Sequence, residues 1–524
     1  MKNISILTIS ILLSFSVFSQ KAQRAPLNPD FIDYVKNDTK VEKKTTTGHG
    51  MGYVPSPMYY HFNIPAMKKS LKKNTEALPV KYDLRELGYV TPVKNQGGLG
   101  ACWSFSTMGA IESRWKILGL GEFDLSEQNM ATCHGFEAGA GDGGSAFLAT
   151  AYMTRLAGPV TEASDPYTAD PNSVCRDVEF DIPAYSPLAW LLPKDIDFVK
   201  KAVFNYGAVT SSIYISDNYF FFDDATSTYI YNGTTNPPNH GVLIVGWDDE
   251  MDVVGGIANK ETDLKGAWIV KNSWGSNWRD NGYFYVSYED TKFLSEVSLF
   301  PEYMPKNAFD TLIMYDKLGA TTSFGFLKDT AWALSKFHSD DPIFISKIGT
   351  FVNTSGGQVS FEVYTDFQDS VLSNMIASSY NNFVKYPGYH TFDIPLLISG
   401  DYYVKAKYVT PGYTFPIPAE AQISIQGEDY ALPDLEPSGK FWISKNEEEW
   451  KPLGSDVEDY EADLSIRIYA DTGTNLNAYF KADRNYVCAG SEVVFTQESN
   501  GTINSYKWDF GENASPATAT GAGP

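Results

Sequence analysis

Cysteine is scarce, four residues in 524, so disulfides are not the main source of stability in this chain. Only His134 stands beside a cysteine, and no second Cys/His pair at ligand spacing accompanies it, which excludes a zinc site. The carboxylates from Asp248 to Asp252 lack the spacing of a calcium loop, and no metal and no cofactor is expected. Basic residues are outnumbered, 41 Lys and Arg against 64 Asp and Glu, for a net charge of −23. That balance argues against nucleic acid and anionic membrane surfaces as partners. Beyond the first residues no apolar stretch approaches the ~20 residues needed to span a bilayer. No internal repeat stands out. The length allows two to four domains.

Against this background one cysteine has a setting that chemistry can explain. Cys102 lies in Gln96-Gly-Gly-Leu-Gly-Ala-Cys102-Trp103, a glycine turn followed by apolar residues at helical spacing: Phe105, Met108, Ile111 or Glu112, Trp115 and Leu118. A thiol has a pKa near ~8.5, and the positive end of a helix dipole or a neighbouring imidazolium lowers it. His240 stands at the head of the apolar run Val242 to Val245, and Asn272 follows a second such run, Ala267 to Val270. Pairing of these two strands would bring an imidazole to an amide that fixes its tautomer, the third-group role in a nucleophile–base–orienter site. A lone cysteine at a helix start is usually a small buried hydrophobe. The joint presence of Gln96, His240 and Asn272 favours catalysis. The remaining histidines (His49, His61, His134, His338, His390) have no comparable setting.

At these residues the chain resembles the papain-like cysteine peptidases. Gln96 to Trp103, the block around His240, and Asn272-Ser-Trp274-Gly275 match the family's motifs, and Leu125-Ser-Glu-Gln128, Gly141-Asp-Gly-Gly144 and Gly158-Pro-Val-Thr-Glu162 fall where it carries similar segments. The resemblance spans about residues 78–300 and implies an α+β fold of two lobes, a helical one opening at Cys102 and a β-rich one carrying His240 and Asn272. It implies catalytic roles for Cys102 (nucleophile), His240 (acid/base), Asn272 (orienter) and Gln96 (oxyanion hole, with the Cys102 backbone N–H). Gly143 and Gly144 would let an extended substrate pair as an added strand, and Trp274 would shield the His–Asn contact at the substrate site. It also implies a disulfide between Cys133 and Cys175. A second family bridge is missing at both ends, where Leu99 and Gly141 stand, and Cys488 is left as a free thiol. Ser145 and Gly241 are candidates for the main specificity pocket.

Outside that region the composition changes. Lys2, the apolar stretch Ile4 to Phe18 and Ser19-Gln20-Lys21 read as a secretory signal over residues 1–19. That implies a secreted or cell-surface location. Residues 20–77 contain Lys- and Thr-rich stretches around Gly48-His-Gly-Met-Gly52. They read as a disordered linker or, the favoured reading, a propeptide that blocks the cleft until cut near Leu78. After Phe300, short β-branched and aromatic runs (Ile345 to Val352, Val359 to Thr365, Tyr402 to Val409, Ile423 to Gln426, Leu464 to Tyr469) suggest a β-sandwich. Residues 303–471 resemble the lectin-like domain of some bacterial papain relatives. Their aromatics either pack a core or stack on extracellular glycans. Residues 475–524, with Trp508-Asp-Phe-Gly511, resemble the start of a polycystic-kidney-disease-type (PKD) domain. The expected function is a secreted endopeptidase acting on proteins or peptides. A surface-binding or adhesive protein with a silent papain-like domain is the alternative, and the intact Cys102, His240, Asn272 and Gln96 speak against it.

Overall fold

The apolar positions after Cys102 form a helix over Cys102–Ile117 whose side chains are nearly all buried. Gly119, at φ +74°, turns the chain away after Leu118. In this computed structural model the described residues are 21–37, 43–71, 77–216, 221–254 and 264–472, with short pieces at 480–482, 492–497, 507–509, 515–516 and 518–520. Two shorter helices, Glu127–Cys133 and Ala146–Thr154, pack beside the first. Both are capped by serine hydroxyls: Ser126 accepts from the Asn129 N–H and Ser145 from the Phe147 N–H.

Facing them is a sheet whose central strand, His240–Val253, runs antiparallel to Val209–Ile213 on one side and Leu264–Lys271 on the other. Trp247 and Trp268 stand opposite each other on the second pair, both fully buried. The long helix lies against this sheet so closely that a Cβ at Gly109 would come within 2.9 Å of Leu243. The two lobes therefore touch through the element that begins at Cys102 and the strand that begins at His240.

A second domain is a β-sandwich. Its larger sheet runs Val371–Val384, Gly357–Gln368, Gly388–Val409, Thr330–Val352 and Ile466–Thr472, all antiparallel. The smaller sheet contains Thr322–Gly325, Ile417–Glu420 and Asp463–Leu464. Between them lies a core that includes Phe324, Ile345, Val359, Val404, Ile417 and Leu464. The two domains share backbone hydrogen bonds, Gly388 opposite Trp190 and Tyr389 opposite Ala189. A buried ion pair lies at the same joint: Arg467 Nε donates to both Asp316 carboxylate oxygens (3.0 and 3.1 Å), while Nη1 donates to Thr154 Oγ1 of the first domain at 2.8 Å.

The described parts of residues 21–71 pack against the rest of the chain. Gln23 and Arg24 pair antiparallel with Gly325 and Phe324 as a fourth strand of the smaller sheet. A helix follows at Pro29–Asn37, and another at Ile64–Leu71. Of residues 475–524, the described part is two two-stranded ribbons, Phe480–Ala482 with Phe495–Gln497 and Lys507–Asp509 with Thr518–Thr520. They do not identify a PKD-type domain. Residues 1–19 and Cys488 lie outside the described residues.

Candidate active site

Cys102 is the first residue of its helix, fully buried, with the helix N-terminus behind it. Its Sγ accepts the Gly241 N–H at 3.2 Å, so the thiol sits against the residue that follows His240. The His240 Nε2 is 2.8 Å from Asn272 Oδ1. An amide oxygen only accepts, so Nε2 carries the proton and Nδ1 is left as the basic nitrogen. That Nδ1 is buried and has no hydrogen-bond partner among the described residues. Pairing of the strands Leu243 to Lys271 places Asn272 just beyond the ladder, beside His240. The Trp274 ring lies 4.7 Å from the imidazole and covers it.

Gln96 is held in the same place by two backbone contacts, one its own and one two residues back. Its N–H donates to Ser273 O at 2.8 Å, and Gly275 donates to Lys94 O at 3.0 Å. Its side-chain Oε1 accepts from Ser273 Oγ at 2.5 Å, and Nε2 donates to Leu99 O and to Gly50 O, at 2.7 and 3.1 Å. The structure thus brings Cys102, His240, Asn272, Gln96 and Trp274 together.

Gly143 and Gly144 form the next stretch of the cleft wall, and a strand is already paired there. Gly144 N–H donates to Gly52 O at 2.8 Å and Val54 N–H to Gly144 O at 3.0 Å. Gly50 N–H donates to Gly97 O at 2.9 Å, and Tyr53 N–H to Asn239 O at 3.1 Å. Only glycine fits this path: a Cβ on Gly50 would stand 2.1 Å from Leu99 O, and one on Gly52 2.0 Å from Gly100 O. The segment's carbonyl at Gly50 takes the Gln96 donor, and also accepts from Trp274 Nε1 at 3.3 Å. His49 stacks on Trp274 with ring centroids 5.0 Å apart.

Burial favours the neutral forms of the pair. Burial pushes the Cys102 thiol up to about 11, against the lowering effect of N–H donors from Gly241 and Gly52. Burial also pulls His240 down to about 4, although its bond to Asn272 works the other way. With residues 43–60 in place, the pair is a neutral thiol beside a neutral imidazole.

Two participants had weak signals in the sequence. Glu296 accepts the Ala146 N–H at 3.1 Å, and burial raises it to about 7 while N–H groups of Ala146 and Ser56 and the Tyr53 side chain pull it back. It therefore touches both the cleft wall and the segment lying in it. His49 showed only as part of a glycine cluster. Of the pocket candidates, Ser145 serves as a helix cap and Gly241 as a donor to Cys102. Cys133 and Cys175 are joined, with S–S 2.05 Å. Where the family's second bridge is missing, the Leu99 side chain fills the space: a Cβ on Gly141 would come within 2.8 Å of it. His134 Nδ1 accepts the Phe136 N–H at 3.1 Å.

Comparison with known proteins finds relatives of both domains. Residues 78–298 match the model of the papain family cysteine protease, and residues 312–470 that of the lectin like domain. Cathepsin J of Mus musculus is 34% identical over 225 residues, 42% of this chain and 64% of that protein. Cathepsin S of Mus musculus is 35% identical over 213 residues, 40% of this chain and 59% of that protein. The chain thus spans less than two thirds of the length of these curated relatives. The crystal structure of the cysteine protease and lectin-like domains of Cwp84, a surface layer associated protein of Clostridium difficile, superimposes with a TM-score of 0.69 at 23% identity, covering 86% of this chain and 98% of that one. That likeness is one of fold. Residues 78–298 belong to the papain family of cysteine proteases, and a lectin-like domain follows them.

Proposed function

We propose that this chain is a secreted cysteine endopeptidase, made with a signal over residues 1–19 and held latent by a propeptide within residues 20–77. The observation that carries the reading is the convergence of Cys102, His240, Asn272 and the Gln96 amide where the two lobes meet. Once the segment leaves, water and substrate reach the pair, and the desolvation that holds both groups neutral is relieved. His240 Nδ1 then takes the Cys102 proton, with the helix N-terminus stabilising the thiolate. The thiolate adds to the scissile carbonyl, and its oxygen becomes an oxyanion received by Gln96 Nε2 and the Cys102 backbone N–H. The imidazolium gives its proton to the leaving amine as the C–N bond breaks. Water, deprotonated by His240, then cleaves the thioester, releasing the acid and regenerating the thiol. Asn272 holds the imidazole in the tautomer that presents Nδ1.

The test is to express the chain without its first residues, alongside Cys102→Ala, and follow both cleavage near Leu78 and hydrolysis of a peptide library under reducing conditions. Hydrolysis confined to the cysteine form supports the reading. A correctly folded, trimmed chain with no hydrolysis would transfer the function to the β-domains. For those, a half-exposed aromatic group of Phe367, Trp442 and Trp450, with Phe367 and Trp442 5.0 Å apart at 67°, supports glycan stacking. Glycan-array binding lost in Trp442→Ala is the expected result.

A further inference from the structure

The lectin-like domain holds the N-terminal segment on both sides of the part that lies in the cleft. Upstream, Gln23 and Arg24 complete the sheet edge at Thr322–Gly325, and Ala25 N–H donates to Ser323 O at 2.8 Å. Arg24 Nε donates to Thr322 Oγ1 at 2.9 Å, and Nη2 to Gln422 O at 2.7 Å. Ala22 is buried in that domain's core, and its carbonyl accepts from Tyr460 at 3.3 Å. Lys21 pairs with Asp459.

Between this strand and the cleft, Phe31 is fully buried in a cluster shared by both domains. Its ring stands 4.8 Å from Tyr430, on the Ile423–Ala431 hairpin of the lectin-like domain, and Phe136 and Phe147 of the peptidase domain belong to the same cluster. Downstream of the cleft, His61 N–H donates to Asn353 O at 2.8 Å, Ser355 N–H to His61 O at 2.9 Å, and Asn63 N–H to Ser355 Oγ at 2.9 Å. The contacts at Gln23 to Ala25 and at His61 include main-chain hydrogen bonds, which is how a sheet edge binds an extended peptide.

We propose that the lectin-like domain is a strand-docking module whose ligand is an extended peptide, and that its occupant is residues 22–25 of this chain, aided by the contacts at Phe31 and His61. The inference rests on the reading of residues 43–60 as inhibitory, and gives it a mechanism of retention. A single cut near Leu78 severs one covalent link and none of these contacts. The cut piece stays seated, the cleft stays filled, and release requires the docking strand to let go.

The experiment uses the full chain carrying Cys102→Ala, so that its outcome is independent of catalysis. A recognition site for an added protease replaces residues 72–76, and the cut chain is passed over a gel-filtration column with mass spectrometry of the fractions. The N-terminal piece is expected to co-elute with the body. Ala25→Pro removes the donor to Ser323, and Arg24→Ala removes two side-chain bonds. Each is expected to speed dissociation of the piece by on the order of tenfold, the equivalent of one or two hydrogen bonds. Gly52→Ala, which disturbs the cleft contact alone, should leave the piece bound to the body through its outer strand. Prompt loss of the piece from the unsubstituted chain would overturn the proposal, as would dissociation rates unchanged by both Ala25→Pro and Arg24→Ala. Failure of the endopeptidase reading would register separately, in hydrolysis by the cysteine form.

Discussion

With residues 43–60 seated, burial favours the neutral thiol and the neutral imidazole over the thiolate–imidazolium pair, so the proposed latency is electrostatic as well as steric. In the uncut chain, Cys102 is expected to react with iodoacetamide only as the pH climbs towards about 11. After the segment is removed, alkylation at pH 6–7 should be faster by roughly a hundredfold or more, because the thiolate is then populated. Rate measurements on the two forms across pH check this. Asn272→Ala leaves the nucleophile and base in place but frees the tautomer. It should lower kcat by about 10–100-fold with little change in KM, read from steady-state kinetics of the trimmed enzyme. The residues now gathered at this site could be named beforehand because each sits in a motif whose chemistry is local: a glycine turn before Cys102, an apolar strand after His240. Glu296 and His49 could not. Glu296 meets the segment only because Ala146 and Tyr53, far apart in the chain, fold onto the same spot, and nothing in Leu294-Ser-Glu-Val297 announces a cleft.

The helix at Cys102–Ile117 and the strands around His240 and Asn272 were legible from apolar periodicity. The strand Val371–Val384 was not. It has one principal neighbour, Gly357–Gln368, and its exposed run Ser373-Asn-Met-Ile-Ala-Ser-Ser-Tyr-Asn lacks the alternation that half-burial imposes on a sequence. Gln23–Arg24 is shorter still, and its place is set by the sheet edge it meets. The segment Tyr53 to Tyr60 packs onto Glu296, whose carboxyl is raised to about 7 from an ordinary 4.5. Below about pH 7 the neutral acid is therefore the form favoured with the segment in place. Retention gains from this contact fully below about pH 4.5 and loses that gain as the pH rises through about 7. Dissociation of the cut piece from the Cys102→Ala chain should accelerate over that range by on the order of tenfold. Glu296→Gln should flatten the profile.

The two domains meet at a joint made of backbone pairing and a buried ion pair. Arg467 is fully buried, bonded to Asp316 within its own domain and to Thr154 across the boundary. Removing it leaves Asp316 as an unpaired buried charge, and Arg467→Met should cost about 3–5 kcal/mol in denaturant unfolding. Thr154→Val deletes only the bond between domains and should cost about 1 kcal/mol. If the joint couples the domains, that variant also separates a single unfolding transition into two. A papain-like domain followed by a β-sandwich could be read from the sequence because each has its own core pattern. The joint could not, since Arg467 and Thr154 lie 313 positions apart and neither stands in a motif that points to the other.

The docking of residue 24 against residue 324 has a consequence for how the molecule is made. The seat for the first strand belongs to a sheet whose last member is Asp463–Leu464, and Lys21 meets Asp459, 438 positions away. A ribosome adding ~5–20 residues per second needs about 20–90 s to travel from one to the other. Residues 21–24 are thus among the last to find all their partners, and a nascent chain interrupted before Leu464 would carry the whole of residues 78–298 while the sheet that seats residues 23–24 still lacks its last strand.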